Sequence, residues 1–145
     1  MTDGLIALLK KAEEFRAEPY LCPAGYPTQG YGRRVRSLNL PAITEETAER
    51  WLKEDAAFAE REALRLSPIL KDHPNRLAAI TDFIFNLGPG AYQFSTLRKR
   101  VDAGEWLAAA EHLKKWVHAK VGGKMVVLGG LVQRRAVAAD WMVRG

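Results

Sequence analysis

Two adjacent carboxylates, Glu13 and Glu14, sit where an apolar helical stripe gives way to a segment rich in Pro, Gly and Tyr. At about 100° per residue they point to different sides of that helix, Glu13 beside Ile6 at the edge of the stripe and Glu14 away from it. A carboxyl held against an apolar wall is pushed toward its neutral form, the state that a general acid needs near neutral pH. Glu13 is therefore the better candidate for acid catalysis. Residue type and phase alone still favour a solvated helix-end glutamate. His73, His112 and His118 show no metal-ligand spacing with Cys22, so no metal site and no cofactor are expected. Trp51, Trp106, Trp116 and Trp141 fall at helical positions and read mostly as core.

The elements that must position these groups follow from periodicity. Leu5, Ile6, Leu8, Leu9 and Ala12 predict a first amphipathic helix, capped by Thr2 or Asp3 and running to about Phe15. Between Pro19 and Asn39 the turn residues Pro23, Gly25, Pro27, Gly30 and Gly32 alternate with Tyr20, Tyr26, Tyr31 and Val35. This predicts short strands joined by turns, and it is the only segment read as β. A long helix capped by Thr44 carries Ala48, Trp51, Leu52, Ala56, Ala59, Ala63 and Leu66 at a 3.6-residue period up to Ser67-Pro68, long enough to link two lobes. Beyond Pro74, the nearly continuous apolar character of Leu77, Ile80, Phe83, Ile84 and Leu87 marks a central core helix that stops at Gly88-Pro89-Gly90. Further helices are predicted near Thr96 to Ala103, from Glu105 to His118 and from Leu131 to Val143, with Val121 to Gly130 as a loop. The fold class is α+β: a β-rich lobe over about 16–43, joined by a long helix to a mainly helical lobe over about 68–145 that includes the N-terminal helix, with a cleft between them.

Composition bounds what such a chain can be. At 145 residues it holds one domain, 1–145, and with 48% hydrophobic and 27% charged residues it should fold as a globular unit. The single cysteine excludes an internal disulfide. Leu5 to Leu9 is too short to span a bilayer and no cleavage site follows it, so no signal peptide and no stable membrane insertion are read. Twenty-two Lys and Arg against seventeen Asp and Glu give a net charge of +5, which suits an acidic polymer, a membrane surface or nucleic acid. The cations are scattered and no aromatic-basic groove appears, so nucleic acid is ranked last.

The spacing Glu13, eight residues, Cys22, five residues, Thr28, followed by Gln29-Gly30-Tyr31-Gly32, resembles the signature of the phage-type lysozymes, the glycoside hydrolase family of T-even phage lysozymes and lambdoid endolysins. The likeness continues through Phe85-Asn86-Leu87-Gly88, Ser95-Thr96-Leu97, Trp116 and Gly130-Leu131-Val132-Gln133-Arg134-Arg135. It implies a lysozyme-like fold and a monomeric muramidase that cuts the β-1,4 bond between N-acetylmuramic acid and N-acetylglucosamine in peptidoglycan during host lysis. The implied catalytic set is Glu13, Cys22 and Thr28, and the implied sugar contacts are Phe85, Asn86, Arg34 and Thr96. Glycoside hydrolysis needs an acid on the leaving oxygen and an attacking or water-activating group opposite; the Thr28 hydroxyl could orient a water there. The Cys22 thiol stands where many members have Asp and cannot be assumed to act as a carboxylate.

Three positions depart from the family pattern. Glu14 replaces the Gly that usually follows the acid, Arg33 replaces a His, and Pro27 precedes Thr28 in place of an aromatic or aliphatic residue. Arg134 and Arg135 read either as a helix-end salt-bridge pair or as a wall-attracting surface. Rival readings are a lytic transglycosylase, against which Thr28 argues, and a basic wall-binding or membrane-active module with weak catalysis, carried by the C-terminal helix. An enzyme without a signal would accumulate in the host cytoplasm and reach the periplasmic wall through a lesion made by a partner such as a holin.

Overall fold

The computed structural model describes residues 1–145. Helix α1 covers Asp3–Glu13, with the Thr2 hydroxyl accepting from the Leu5 amide at 3.2 Å and Asp3 in the first turn. It ends at Glu14, the one residue other than glycine with positive φ, at φ 52° and ψ 140°. That conformation costs a side-chain-bearing residue about 1 kcal/mol or more. The departure from glycine at position 14 is thus a backbone matter, and Glu14→Gly is expected to raise stability by about 1 kcal/mol, readable by chemical denaturation. Equal or lower stability in that variant would show that the turn is unstrained.

Strands β1 (Arg16–Leu21), β2 (Pro27–Gly30) and β3 (Arg33–Arg34) form an antiparallel sheet in that order. Pro27 opens its strand, a position where the missing N–H costs nothing to the ladder. The Gln29 side chain is buried and its amide donates to the carbonyls of Ala17 at 2.8 Å and Pro41 at 2.9 Å, tying the sheet to the irregular chain that follows it.

Helix α2 (Glu45–Leu66) is capped by Thr44 as expected and is about 33 Å long. Its apolar face runs through two separate cores. Ala48, Leu52 and Ala56 pack with Leu5, Leu9, Tyr31 and Ala78, whereas Ala59, Ala63 and Leu66 enter a larger cluster with Phe83, Tyr92, Leu113 and Met142. A 3₁₀ turn (Pro68–Asp72) leads to α3 (Pro74–Leu87), which is buried through Ala78–Ile84 and stops at Gly88. Then come α4 (Pro89–Gln93), α5 (Thr96–Asp102, capped by Ser95), α6 (Trp106–Lys114) and α7 (Gly129–Arg144). The fold is α+β and lysozyme-like, a small N-terminal sheet against a helical lobe.

The last third corrects the sequence reading. The helix expected to reach His118 ends at Lys114, and the expected loop over Val121 to Gly130 is mostly an antiparallel ribbon, β4 (His118–Val121) and β5 (Lys124–Val127). The two-residue Gly122-Gly123 turn, at φ 58° and 81°, matches the twist of the flanking strands, and Val121, Val126 and Val127 are β-branched. The region around Pro19–Asn39 is therefore not the only β structure.

Candidate active site

Glu13 is the last residue of α1, and two contacts fix its carboxylate. Oε1 accepts from Arg134 Nη1 at 3.1 Å, and Oε2 lies so close to Gly32 that a Cβ there would come within 2.6 Å of it. Gly32, at φ 85°, therefore admits the carboxylate at a distance that no other residue would allow. The apolar wall expected around Glu13 is not what it meets; its side chain is 22% exposed and its neighbour is a guanidinium.

Arg134 belongs to a buried ionic network that joins α3 to α7. Its Nε donates to Asp82 Oδ1 at 2.9 Å, and Arg135 Nη1 reaches Asp82 Oδ2 at 3.5 Å. Arg135 also donates through Nε to the Trp116 carbonyl at 3.1 Å and through Nη2 to Asn86 Oδ1. Asp82 and Arg135 have no exposed surface. Burial pushes the Asp82 carboxyl above the ordinary carboxylate range, against the pull of Arg134 and Arg135, and burial brings Arg135 down to about 10 with Asp82 opposing. Both arginines are thus internal to the protein and neither forms a wall-attracting surface.

Strands β1 and β2 and the turn between them carry the other candidates. Tyr20 pairs directly with Thr28, and such partners share one face of the sheet. The Tyr20 phenol is pushed up by burial and then by the negative charge of Glu13. Cys22, two residues on from Tyr20, closes the turn: Gly25 N–H donates to its carbonyl at 2.8 Å and its own N–H donates to Tyr26 O at 3.0 Å. The Cys22 thiol is pulled below its usual value by the Tyr26 backbone, with Ala24, the Thr28 hydroxyl and Gly25 adding to the effect against desolvation. Thr28 is buried and its hydroxyl donates to Tyr26 O at 2.9 Å, so this hydrogen is held by the backbone.

A cleft of about 320 Å³ begins at Gly32 and is lined by Arg33, Arg34, Phe58, Phe85 and Pro89 among others. Arg34 stacks on Tyr26 at 3.7 Å, and Arg33 is held by Asp55 and Glu54 at 2.9 and 3.1 Å over the Trp51 ring. Phe85 is thus a wall of the cleft. Asn86 is not, because its side-chain oxygen is engaged by Arg135. Thr96 stands exposed at the start of α5, which packs on α4, α6 and the 3₁₀ turn, and it is not in the lining. A larger depression of about 850 Å³ follows the charged flank of α2 past Glu45, Glu49 and Lys53, and contains none of the candidate residues. Asp82 and Tyr20 were missed in the sequence. The available signal for Asp82 was a lone charge inside the apolar run Ile80–Ile84, which a buried helix tolerates only when the charge is paired.

A carboxylate held at the edge of a cleft between a small sheet and a helical lobe, on a frame joined by one long helix, defines a lysozyme-type glycoside hydrolase. The chain belongs to the phage lysozyme family, whose profile matches residues 10–138. It is 40% identical over 134 residues to an endolysin of Acyrthosiphon pisum secondary endosymbiont phage 1, covering 91% of this chain and 89% of that one. It is 30% identical over 132 residues to a SAR-endolysin of bacteriophage PS119, covering 88% and 74%. Among solved structures, an endolysin from Escherichia coli O157:H7 phage FAHEc1 superposes with a TM-score of 0.84 at 31% identity, over 98% of this chain and 92% of that one. The active form of P1 phage endolysin Lyz does so with a TM-score of 0.83 at 25% identity, over 100% and 85%. The protein is an endolysin-type peptidoglycan hydrolase. No helix is long and apolar enough to cross a membrane.

Proposed function

We propose that this chain is a muramidase that hydrolyses the β-1,4 bond between N-acetylmuramic acid and N-acetylglucosamine, acting as a phage or prophage endolysin in host lysis. The observation that carries this reading is the Glu13 carboxylate, gripped by Arg134 at 3.1 Å on one oxygen and presented beside Gly32, a wall of the cleft, on the other. Glu13 donates its proton to the glycosidic oxygen as the sugar C–O bond breaks, and positive charge develops on the muramic ring. Cys22 and Thr28, on the sheet face opposite, receive the far side of that ring, where water enters. The Cys22 thiolate takes the proton of the entering water, and the Thr28 hydroxyl, its own hydrogen committed to the Tyr26 carbonyl, accepts a hydrogen bond from that water. Arg34 and Phe85 line the path of the glycan, and the sugar contacts implied for Asn86 and Thr96 are dropped because both stand outside the cleft. The net charge of +5 favours the acidic wall polymer, and a holin-type partner is the proposed route to the wall for enzyme held in the cytoplasm.

Mass spectrometry of digested walls tests this directly. Reducing muramic ends are expected; 1,6-anhydromuramic ends would make the enzyme a transglycosylase, and reducing glucosamine ends would move the cut to the other bond. In the same digest Cys22→Asp should keep substantial turnover and Cys22→Ala should lose most of it. Full turnover in a folded Cys22→Ala enzyme would remove Cys22 from the chemistry.

A further inference from the structure

The β4–β5 ribbon and the chain that follows it form a surface that the hydrolytic reading does not use. Every residue of both strands except Ala119 is exposed, and no third strand pairs with them. Cross-strand pairing puts Val121, Val126 and Lys124 on one face and Met125, Val127 and Lys120 on the other. Neither face is the polar one that an antiparallel ribbon ordinarily turns to water. Seven of the eighteen large hydrophobic side chains exposed on the protein fall within residues 116–132, a concentration in one segment that both faces of the ribbon share.

The charge of the same segment is one-sided. From His112 to Ala139 there is no acidic residue. Lys115, Lys120 and Lys124 are exposed and form no ion pair, so no carboxylate within the segment offsets their charge. We propose that this ribbon docks on the surface of an anionic lipid bilayer. The ribbon enters edge-on with β5 leading, so that Met125, Val126 and Val127 from both faces pass below the headgroups, and Lys115, Lys120 and Lys124 reach up to the lipid phosphates. An acidic glycan would satisfy the lysines but offers no apolar phase for Val121, Met125, Val126 and Val127. Strands of four residues reach about 13 Å, which suits interfacial depth and not a span. The base of the ribbon is fixed, since Leu128 N–H donates to Val117 O at 3.0 Å and Arg135 grips the Trp116 carbonyl. Docking therefore orients the whole helical lobe, including Arg134 and the Glu13 that it holds.

This inference is independent of which glycosidic bond is cut, because it is read without cell wall. The full chain is sedimented with vesicles of phosphatidylglycerol and phosphatidylethanolamine, and with vesicles of phosphatidylcholine alone, while hydrolysis of lipid-free walls is followed in parallel. Binding to the anionic vesicles and little to the neutral ones is expected. The double variant Lys120→Gln, Lys124→Gln should lower that partition about tenfold. Val126→Ser with Val127→Ser should also lower it, and all four exposed changes should leave wall hydrolysis and thermal unfolding unaltered. Equal binding to neutral vesicles, or anionic binding indifferent to both double variants, would overturn the proposal. Loss of wall hydrolysis in the folded lysine variant, with vesicle binding unchanged, would reassign the ribbon to the wall polymer.

Discussion

Glu13→Gln is expected to lower the rate of wall hydrolysis by about 10³-fold or more while the protein stays folded. The substitution keeps the shape of the side chain and an oxygen that can still accept from Arg134, but it removes the proton that the leaving oxygen requires. Its cost in stability should be small, because Glu13 is partly exposed and Arg134 retains Asp82 as its partner. Glu14→Gln is the matched control. Glu14 is exposed at the end of α1, its backbone N–H bonded to Lys10 O, and its side chain forms no ion pair. Turnover on isolated walls and thermal unfolding should be measured for both variants. A Glu14 variant as inactive as the Glu13 variant, with both folded, would mean that the other carboxylate does the work.

The parts of the fold that were legible in the sequence are those where one local pattern decides the outcome. The 3.6-residue recurrence from Ala48 to Leu66 with Thr44 ahead of it specifies α2, and the same residues then divide between the two cores. Turn residues around Cys22–Gly25 specify the hairpin that returns Thr28 beside Tyr20. The ribbon at His118–Val127 is hidden in the sequence because Trp116, Val117 and His118 continue in helical phase from α6, and a Gly-Gly turn flanked by so few β-branched residues has the composition of a loop. The surroundings of Glu13 were illegible for a different reason. Arg134 is 121 residues away in sequence, and Asp82 lies 52 residues before it, so their meeting depends on how α1, α3 and α7 pack and not on any local periodicity. The phase of α1 identified which carboxylate faces the interior, but a guanidinium and not an apolar wall meets it there.

That packing-dependent network carries the second large effect. Asp82→Ala is expected to destabilise the protein by about 3–5 kcal/mol, because it leaves the guanidiniums of Arg134 and Arg135 buried without their shared counter-charge. For a domain of this size that is a fall in melting temperature of about 10 °C or more. Asp82→Asn should cost less than Ala, since an amide oxygen can still accept from Arg134 Nε although the charge is gone. Activity should report the loss separately. Arg134, released from Asp82, no longer holds the Glu13 oxygen in a single place, so turnover of both variants should fall even at temperatures where circular dichroism shows them fully folded. The paired measurement is chemical denaturation for stability and wall hydrolysis well below each variant's transition. An Asp82→Ala protein that loses less than about 1 kcal/mol would show that water reaches the two arginines and that the network is not closed. One that is destabilised as expected but hydrolyses walls at the full rate would show that Glu13 is positioned by Gly32 and the end of α1 alone, with Arg134 serving only to join α7 to α3.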